Sequence, residues 1–151
     1  MLRLPRKALY ALEAVVDIAF NARPDPVQAK EITRRQGIPP RYLEQVMQQL
    51  VHAGVLKGVR GPRGGYVLAR ERRRISVGDI VQAIQGLDRD GSEEVGESRS
   101  HLGQKVVRPL WAEVEAELVV RLNAITLEEL CARARDVGIT AQDDEAGDFS
   151  I

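Results

Sequence analysis

Apolar side chains recur at steps of three and four in several stretches of this chain, and glycine and proline mark the gaps between them. Leu9, Leu12, Val16 and Phe20 form the first such stripe and predict a helix from about Pro5 to Asn21. Proline is tolerated in a first helical turn, whose backbone donors are unpaired in any case, while Pro24 and Pro26 mark the exit. A short second helix over 28–36 carries Ala29 and Ile32 inward and Lys30, Arg34 and Arg35 outward, with Gly37 as a left-handed cap. Pro39 and Pro40 open a third helix. Its buried face is Leu43, Val46, Met47 and Leu50, and its opposite face carries Arg41, Glu44, Gln45, Gln48 and His52. Beyond Gly54 the pattern changes: Val55-Leu56 and Tyr66-Val67-Leu68 read as two strands about a turn built from Gly58, Gly61, Pro62, Gly64 and Gly65.

Ser76 followed by Asp79 reads as a capping box for a helix ending near Gly86, with Val77, Ile80, Val81 and Ile84 apolar. The segment 88–100, DRDGSEEVGESRS, is polar and nearly devoid of apolar side chains, as expected of a mobile loop. Helical patterning resumes by Val106, with Trp111, Val114, Leu118, Leu122 and Ile125 at steps of three and four, and Pro109 either sets the first turn or kinks the helix. Thr126 with Glu129 makes a second capping box, for a short helix through about Val137. The expected fold is therefore mainly α with a small β-hairpin wing. A winged helix-turn-helix domain occupies 1–86, a mobile loop 87–101, a long dimerisation helix with a short terminal helix 102–138, and a disordered acidic tail 139–151.

Composition changes this picture in two ways. The formal net charge is zero, yet residues 1–78 hold 15 Lys and Arg against 6 Asp and Glu, and residues 79–151 hold 7 against 16. A first half at +9 beside a second half at −9 is what a chain shows when its first half meets nucleic acid. The apolar run from Ala8 to Phe20 is interrupted by Glu13 and Asp17, four residues apart on one helix face, so neither a signal peptide nor a membrane span is expected. The one cysteine, Cys131, excludes an internal disulfide and leaves an intersubunit bridge or a free thiol open. It reads best as helix packing in a protein of the reducing cytoplasm.

The polar face of the third helix offers side chains suited to base edges: glutamate accepts from cytosine N4, glutamine pairs with adenine, and arginine reaches guanine or phosphate. Glu44 is the informative residue, because a carboxylate facing DNA repels phosphate unless it meets a base donor. Its other reading is an intrahelical partner of Arg41 or a solvated side chain. In the hairpin and the segment after it, Lys57, Arg60, Arg63, Arg70, Arg72, Arg73 and Arg74 place seven cations within eighteen residues, opposed only by Glu71. Arg60 and Arg63 at the tip suit insertion into a narrow minor groove, and the Arg72–Arg74 cluster suits the backbone. Lys7 and Gln28 complete the expected DNA-contacting set of Arg41, Tyr42, Glu44, Gln45, Gln48, Arg60 and Arg63. His52 and His101 have no ligand spacing with Cys131, and no nucleophile and base pair is visible, so neither a metal centre nor an enzyme is expected. Trp111, Val114, Leu118 and Leu122 have no large domain left to cover and are expected to bury against a second copy, with intramolecular packing as the alternative.

The motifs KALYAL, QGIPPRYLEQVMQQLVHAGVL, VRGPRGGYVLAR, SVGDIVQAI and LWAEVEAELVVRLNAITLEEL resemble those of the IscR, NsrR and CymR type of bacterial transcription regulators, the Rrf-two family, over nearly all of residues 1–138. The resemblance implies a winged-helix domain with a long C-terminal dimerisation helix, and homodimers bound to operator DNA. It places Arg41, Tyr42, Glu44 and Gln45 on the recognition helix and Arg60 on the wing residue that enters the minor groove. Many members hold an iron–sulfur cluster through three cysteines in the loop before the long helix, often with a histidine. Here Lys105 and Arg108 stand where a cysteine and the histidine would fall, so no cluster is expected. The leading expectation is a homodimeric, sequence-specific, cluster-free regulator of transcription, a repressor of a palindromic operator, whose effector is a small molecule near the loop or dimer junction, a protein, or oxidation of Cys131. The alternatives are a redox sensor ligating iron unconventionally through Glu93, Glu94, Glu97 or His101 with Cys131, and a winged-helix protein-interaction module.

Overall fold

The structure is a computed structural model that describes residues 4–21, 25–85 and 99–141. Helix α1 (Arg6–Asn21) is its axis, touching α2 (Ala29–Gln36), α3 (Pro40–His52), α4 (Val77–Gln85) and α6 (Leu127–Asp136). The buried face of α1 differs from the expected stripe. Ala8, Ala11, Val15 and Ile18, with Ala14 and Ala19, are buried, whereas Leu9 is 46% exposed and Leu12, Val16 and Phe20 are half-buried beside them. Small side chains allow neighbouring helices to approach α1 closely. The larger ones line its flank.

The other correction concerns charge. Arg35, expected outward, is buried, and Ala29, expected inward, is exposed. The Arg35 guanidinium donates through Nε to Asp17 Oδ2 at 2.9 Å and through Nη2 to Oδ1 at 2.8 Å. Gln36 Nε2 also donates to Asp17 Oδ2 at 2.8 Å. Of the two acids expected to share a face of α1, Asp17 is thus sealed inside and Glu13 remains exposed.

Local signals set the ends of these helices. The Glu31 carboxylate accepts from the Gln28 N–H at 3.1 Å, and Gly37 closes α2 at φ 66°. Pro39 and Pro40 start α3, whose Leu43, Val46, Met47 and Leu50 are buried as the spacing predicts. Strands β1 (Leu56–Val59) and β2 (Gly65–Leu68) pair antiparallel with Leu56 opposite Leu68 and Val59 opposite Gly65. Val27, just before α2, adds a third segment to this hairpin: its N–H donates to the Tyr66 carbonyl at 3.0 Å and Tyr66 returns the bond at 2.8 Å. A Cβ on Gly65 would strike the Val27 carbonyl, so glycine is what permits this approach. Ser76 and Asp79 form the expected reciprocal box at the start of α4, both bonds 3.0 Å, and Val77, Ile80, Val81 and Ile84 are buried.

In the C-terminal part a π-helical turn, Gly103–Val107, leads into α5 (Arg108–Ala124). The Arg108 N–H reaches back to the Gly103 carbonyl, and Pro109, which has no N–H, follows at once. The wider turn takes up the proline where a regular helix would clash with it. Backbone pairing ties this part to the rest: Leu127 N–H donates to the Ile75 carbonyl at 3.0 Å and Val77 N–H to Ile125 at 2.8 Å. Thr126 caps α6 by accepting from the Glu129 N–H. Leu127 and Cys131 of α6 are fully buried in the same core as α1 and α3, so the core crosses the division expected at 86. Of the residues expected in the tail, 139–141 are described: Gly138 turns at φ 87° before them and the Ile139 N–H bonds the Ala134 carbonyl. The rest of that tail and most of the loop expected at 87–101 lie outside the described residues.

Removing the carboxylate of Asp17 takes away the counter-charge that the buried Arg35 guanidinium holds at 2.8–2.9 Å. Asp17→Ala is expected to destabilise the fold by about 3–5 kcal/mol in urea unfolding, while joint replacement of Asp17 and Arg35 by apolar residues of similar volume costs far less.

Candidate nucleic-acid interface

Helix α3 turns its polar side chains to solvent because its apolar ones occupy the opposite face. Arg41, Glu44, Gln45, Gln48 and His52 are all exposed. Arg41 and Glu44, three residues apart, form no ion pair with one another or with any other described residue. The Glu44 carboxylate instead borders a groove of about 400 Å³ between α2, α3 and the hairpin, which Lys30, Thr33 and Tyr66 also line. Gln28, half-buried, precedes the Ala29 and Lys30 edge of that groove. On the other side of α3, Lys7 of α1 joins Gln45, Gln48, Gln49 and His52 around a shallow groove of about 510 Å³. Tyr42 is 37% exposed and its ring leans on Tyr10, centroids 5.9 Å apart.

The hairpin and the segment after it sort their cations, and Arg74 is exposed without a carboxylate partner among the described residues. Arg70 lies 3.7 Å from the Asp79 carboxylate, Arg73 pairs with Glu71 at 2.6 Å, and Arg72 faces the Cys131 thiol. Lys57, Arg60 and Arg63 are exposed and have no carboxylate partner among the described residues. Gly61 at φ 114° makes the tip turn, and a Cβ on Gly64 would strike the Val59 carbonyl, so the tip is held tightly folded with Arg60 and Arg63 around it. The structure therefore gathers Lys7, Arg41, Glu44, Gln45 and Gln48 on and beside α3, with Arg60 and Arg63 on the adjoining hairpin. Gln49 is a residue the sequence reading missed: its Oε1 is buried with no hydrogen-bond partner among the described residues, at the edge of the Lys7 groove. A second glutamine directly after Gln48 is its only sequence signal.

Trp111, Val114, Leu118 and Leu122 lie apart from this surface, on α5. None is buried: Trp111 is 48% exposed and Leu118 52%. Leu110, Val119 and Val120 are exposed as well, so apolar residues surround the helix. Gly78 allows α4 to meet α5 closely, because a Cβ there would strike the Asn123 side chain.

This is a winged helix, the architecture of a DNA-binding regulator of transcription. The chain belongs to the Rrf2 family, described as iron-dependent transcriptional regulators, whose pattern it matches over residues 4–133. It is 37% identical over 130 residues to the HTH-type transcriptional regulator IscR of Klebsiella pneumoniae, covering 85% of this chain and 79% of that protein. Its fold superposes on T. potens IscR with a TM-score of 0.74 at 34% identity, covering 92% of this chain and 93% of that one. CymR, the global cysteine regulator of B. subtilis, gives 0.70 at 31% identity, with 88% and 98% covered. These relatives are regulators and not enzymes. Among the described residues no helix is long and apolar enough to cross a membrane.

The family description raises the question of iron, and the donor set does not fit a thiolate-held cluster. Cys131 is the chain's only cysteine and is fully buried on α6, while the approach to α5 presents Lys105 and Arg108. Among the described residues no three His, Cys, Asp or Glu side chains gather as metal ligands. Burial also raises the Cys131 thiol pKa, against the smaller opposing pull of Arg72. A raised pKa means less thiolate at any given pH and slower attack. Cys131 is expected to stay unmodified when native protein is held with iodoacetamide at pH 8, and to alkylate fully in urea, as mass spectrometry would record.

Proposed function

We propose that this chain acts in the cytoplasm as a homodimeric repressor that binds a palindromic operator and carries no iron–sulfur cluster. The observation that carries the reading is the pairing of a polar face on α3 with cations at the hairpin tip, Arg41, Glu44, Arg60 and Arg63 having no ion pair among the described residues. In this reading α3 enters the major groove. Arg41, Gln45 and Gln48 reach base edges or phosphate, Glu44 accepts from a cytosine amine, and Tyr42 holds the helix against α1 while its hydroxyl end faces the duplex. Arg60 and Arg63 reach the adjacent minor groove, and Lys7 and Gln28 contact the backbone on either side of α3.

The exposed apolar surface of α5 supports self-association: Trp111, Val114, Leu118 and Leu122 would meet the same residues of a second copy about a two-fold axis, and two recognition helices would then read inverted half-sites. Occupation of such a site in a promoter excludes other proteins, which favours repression over activation. The lone buried cysteine and the cations at the start of α5 support the absence of a cluster.

Selection of DNA from a random pool tests the reading. A palindrome is expected to be enriched, with affinity falling steeply as salt rises. On the selected DNA, Glu44→Ala should relax preference at one base pair, and Arg60→Ala should lose about 1–3 kcal/mol of binding. Unselective binding unaffected by either change would sink the proposal in favour of a protein-interaction module. Protein purified without oxygen is expected to be colourless and iron-free, and to keep its operator affinity after chelation; a visible chromophore with bound iron would restore the redox-sensing alternative.

A further inference from the structure

Between α1 and α6 lies a half-enclosed cavity of about 290 Å³, walled by Leu12, Val16 and Phe20 of α1, by Ala134 of α6 and by Ile139 just beyond its end. It shares no residue with the grooves beside α3. Its volume is near the lower end for small-molecule pockets, roughly 300 Å³ and upward, and its mainly apolar wall with a few polar groups is what such pockets have. Of its two acids, Asp17 is committed to Arg35 and Gln36. Glu13 has no ion pair or hydrogen bond from its side chain among the described residues. Burial beside this wall raises the Glu13 carboxyl pKa.

A lone carboxylate next to hydrocarbon discriminates between ligands. An anion is repelled, and a neutral apolar molecule would desolvate the carboxylate without pairing it. A cationic head on an apolar body satisfies wall and charge together. We propose that the cavity binds a small apolar amine, its body against Leu12, Val16, Phe20 and Ile139 and its ammonium on Glu13, and that occupancy alters DNA affinity. The last clause rests on the DNA-binding reading above; the binding site does not. The coupling is mechanical. One wall belongs to the helix whose Asp17 holds α2, next to α3, and the other to α6, which follows α5 directly. A ligand that fits one spacing of these helices better than another shifts their equilibrium.

Calorimetric titration of the full-length protein with 2-phenylethylamine, and with phenylacetate as an anion of similar size, tests the site. The amine is expected to saturate one site per chain and phenylacetate to give no binding heat. Glu13→Gln, at an exposed position that leaves the fold intact, should weaken the amine by about tenfold or more, and Ala134→Trp should fill the cavity and abolish binding. Absence of amine binding, equal binding of phenylacetate, or an unchanged affinity in Glu13→Gln overturns the proposal. Saturating amine is further expected to change affinity for the selected DNA by about threefold or more, an ordinary allosteric coupling. Unchanged DNA affinity overturns the coupling alone. Protein that takes the amine but no DNA overturns the DNA reading and the coupling with it, and leaves the amine site in place.

Discussion

The buried pair between Asp17 and Arg35 fixes the placement of the helices that matter most. It joins α1 to α2 across eighteen residues of sequence with two parallel hydrogen bonds, and Gln36 adds a third to the same carboxylate. An apolar contact of equal area would tolerate sliding and rotation. A bidentate guanidinium and carboxylate accept one orientation, because misalignment leaves charge desolvated and unpaired. Gly37 and Pro39 then leave α2 almost no slack before α3 begins at Pro40. The angle at which α3 presents Arg41, Glu44, Gln45 and Gln48 is thus inherited from a charge pair deep in the core, and Val27, locked to Tyr66, carries the same constraint into the hairpin.

How much of this was legible in the sequence depended on whether the signal was local. The two faces of α3, the box of Ser76 and Asp79, and the glycines of the hairpin were readable because each rests on side chains within a few residues of one another. The buried face of α1 was not. Alanine at 8, 11, 14 and 19 carries little hydropathy, so larger neighbours dominated the pattern, although close approach of four other helices selects small side chains there. Arg35 escaped for a different reason: whether a cation is buried depends on a carboxylate in another helix, and nothing near residue 35 reveals one. Gln49 and the Glu13 cavity likewise exist only once α1, α3 and α6 are assembled. On α5 the apolar residues encircle the helix, so a stripe of four described only part of what is exposed.

The hairpin shows how a basic segment divides its charge. All seven cations looked alike in sequence, but Arg70, Arg72 and Arg73 meet Asp79, the Cys131 thiol and Glu71, whereas Lys57, Arg60, Arg63 and Arg74 are exposed without a carboxylate partner among the described residues. A carboxylate or thiol within reach, and not the arginine itself, decides which become structural. The same segregation explains how a chain of zero net charge can carry a strongly positive face: the field that matters within a Debye length of about 8–10 Å is set by the nearest side chains and not by the total.

The winged part and the C-terminal helices are held together by the backbone pairs Ile75 with Leu127 and Val77 with Ile125, by Leu127 and Cys131 in the common core, and by the close fit of Gly78 against Asn123. None of these contacts draws on Lys105 or Arg108, which lie on the π-helical turn and at the start of α5. The junction is made near α4, by Ile125 and Leu127 after α5 and by Asn123 in its last turn. The frame is closed at the C-terminal end of α5, which leaves Leu110, Trp111, Val114 and Leu118 of its earlier turns exposed.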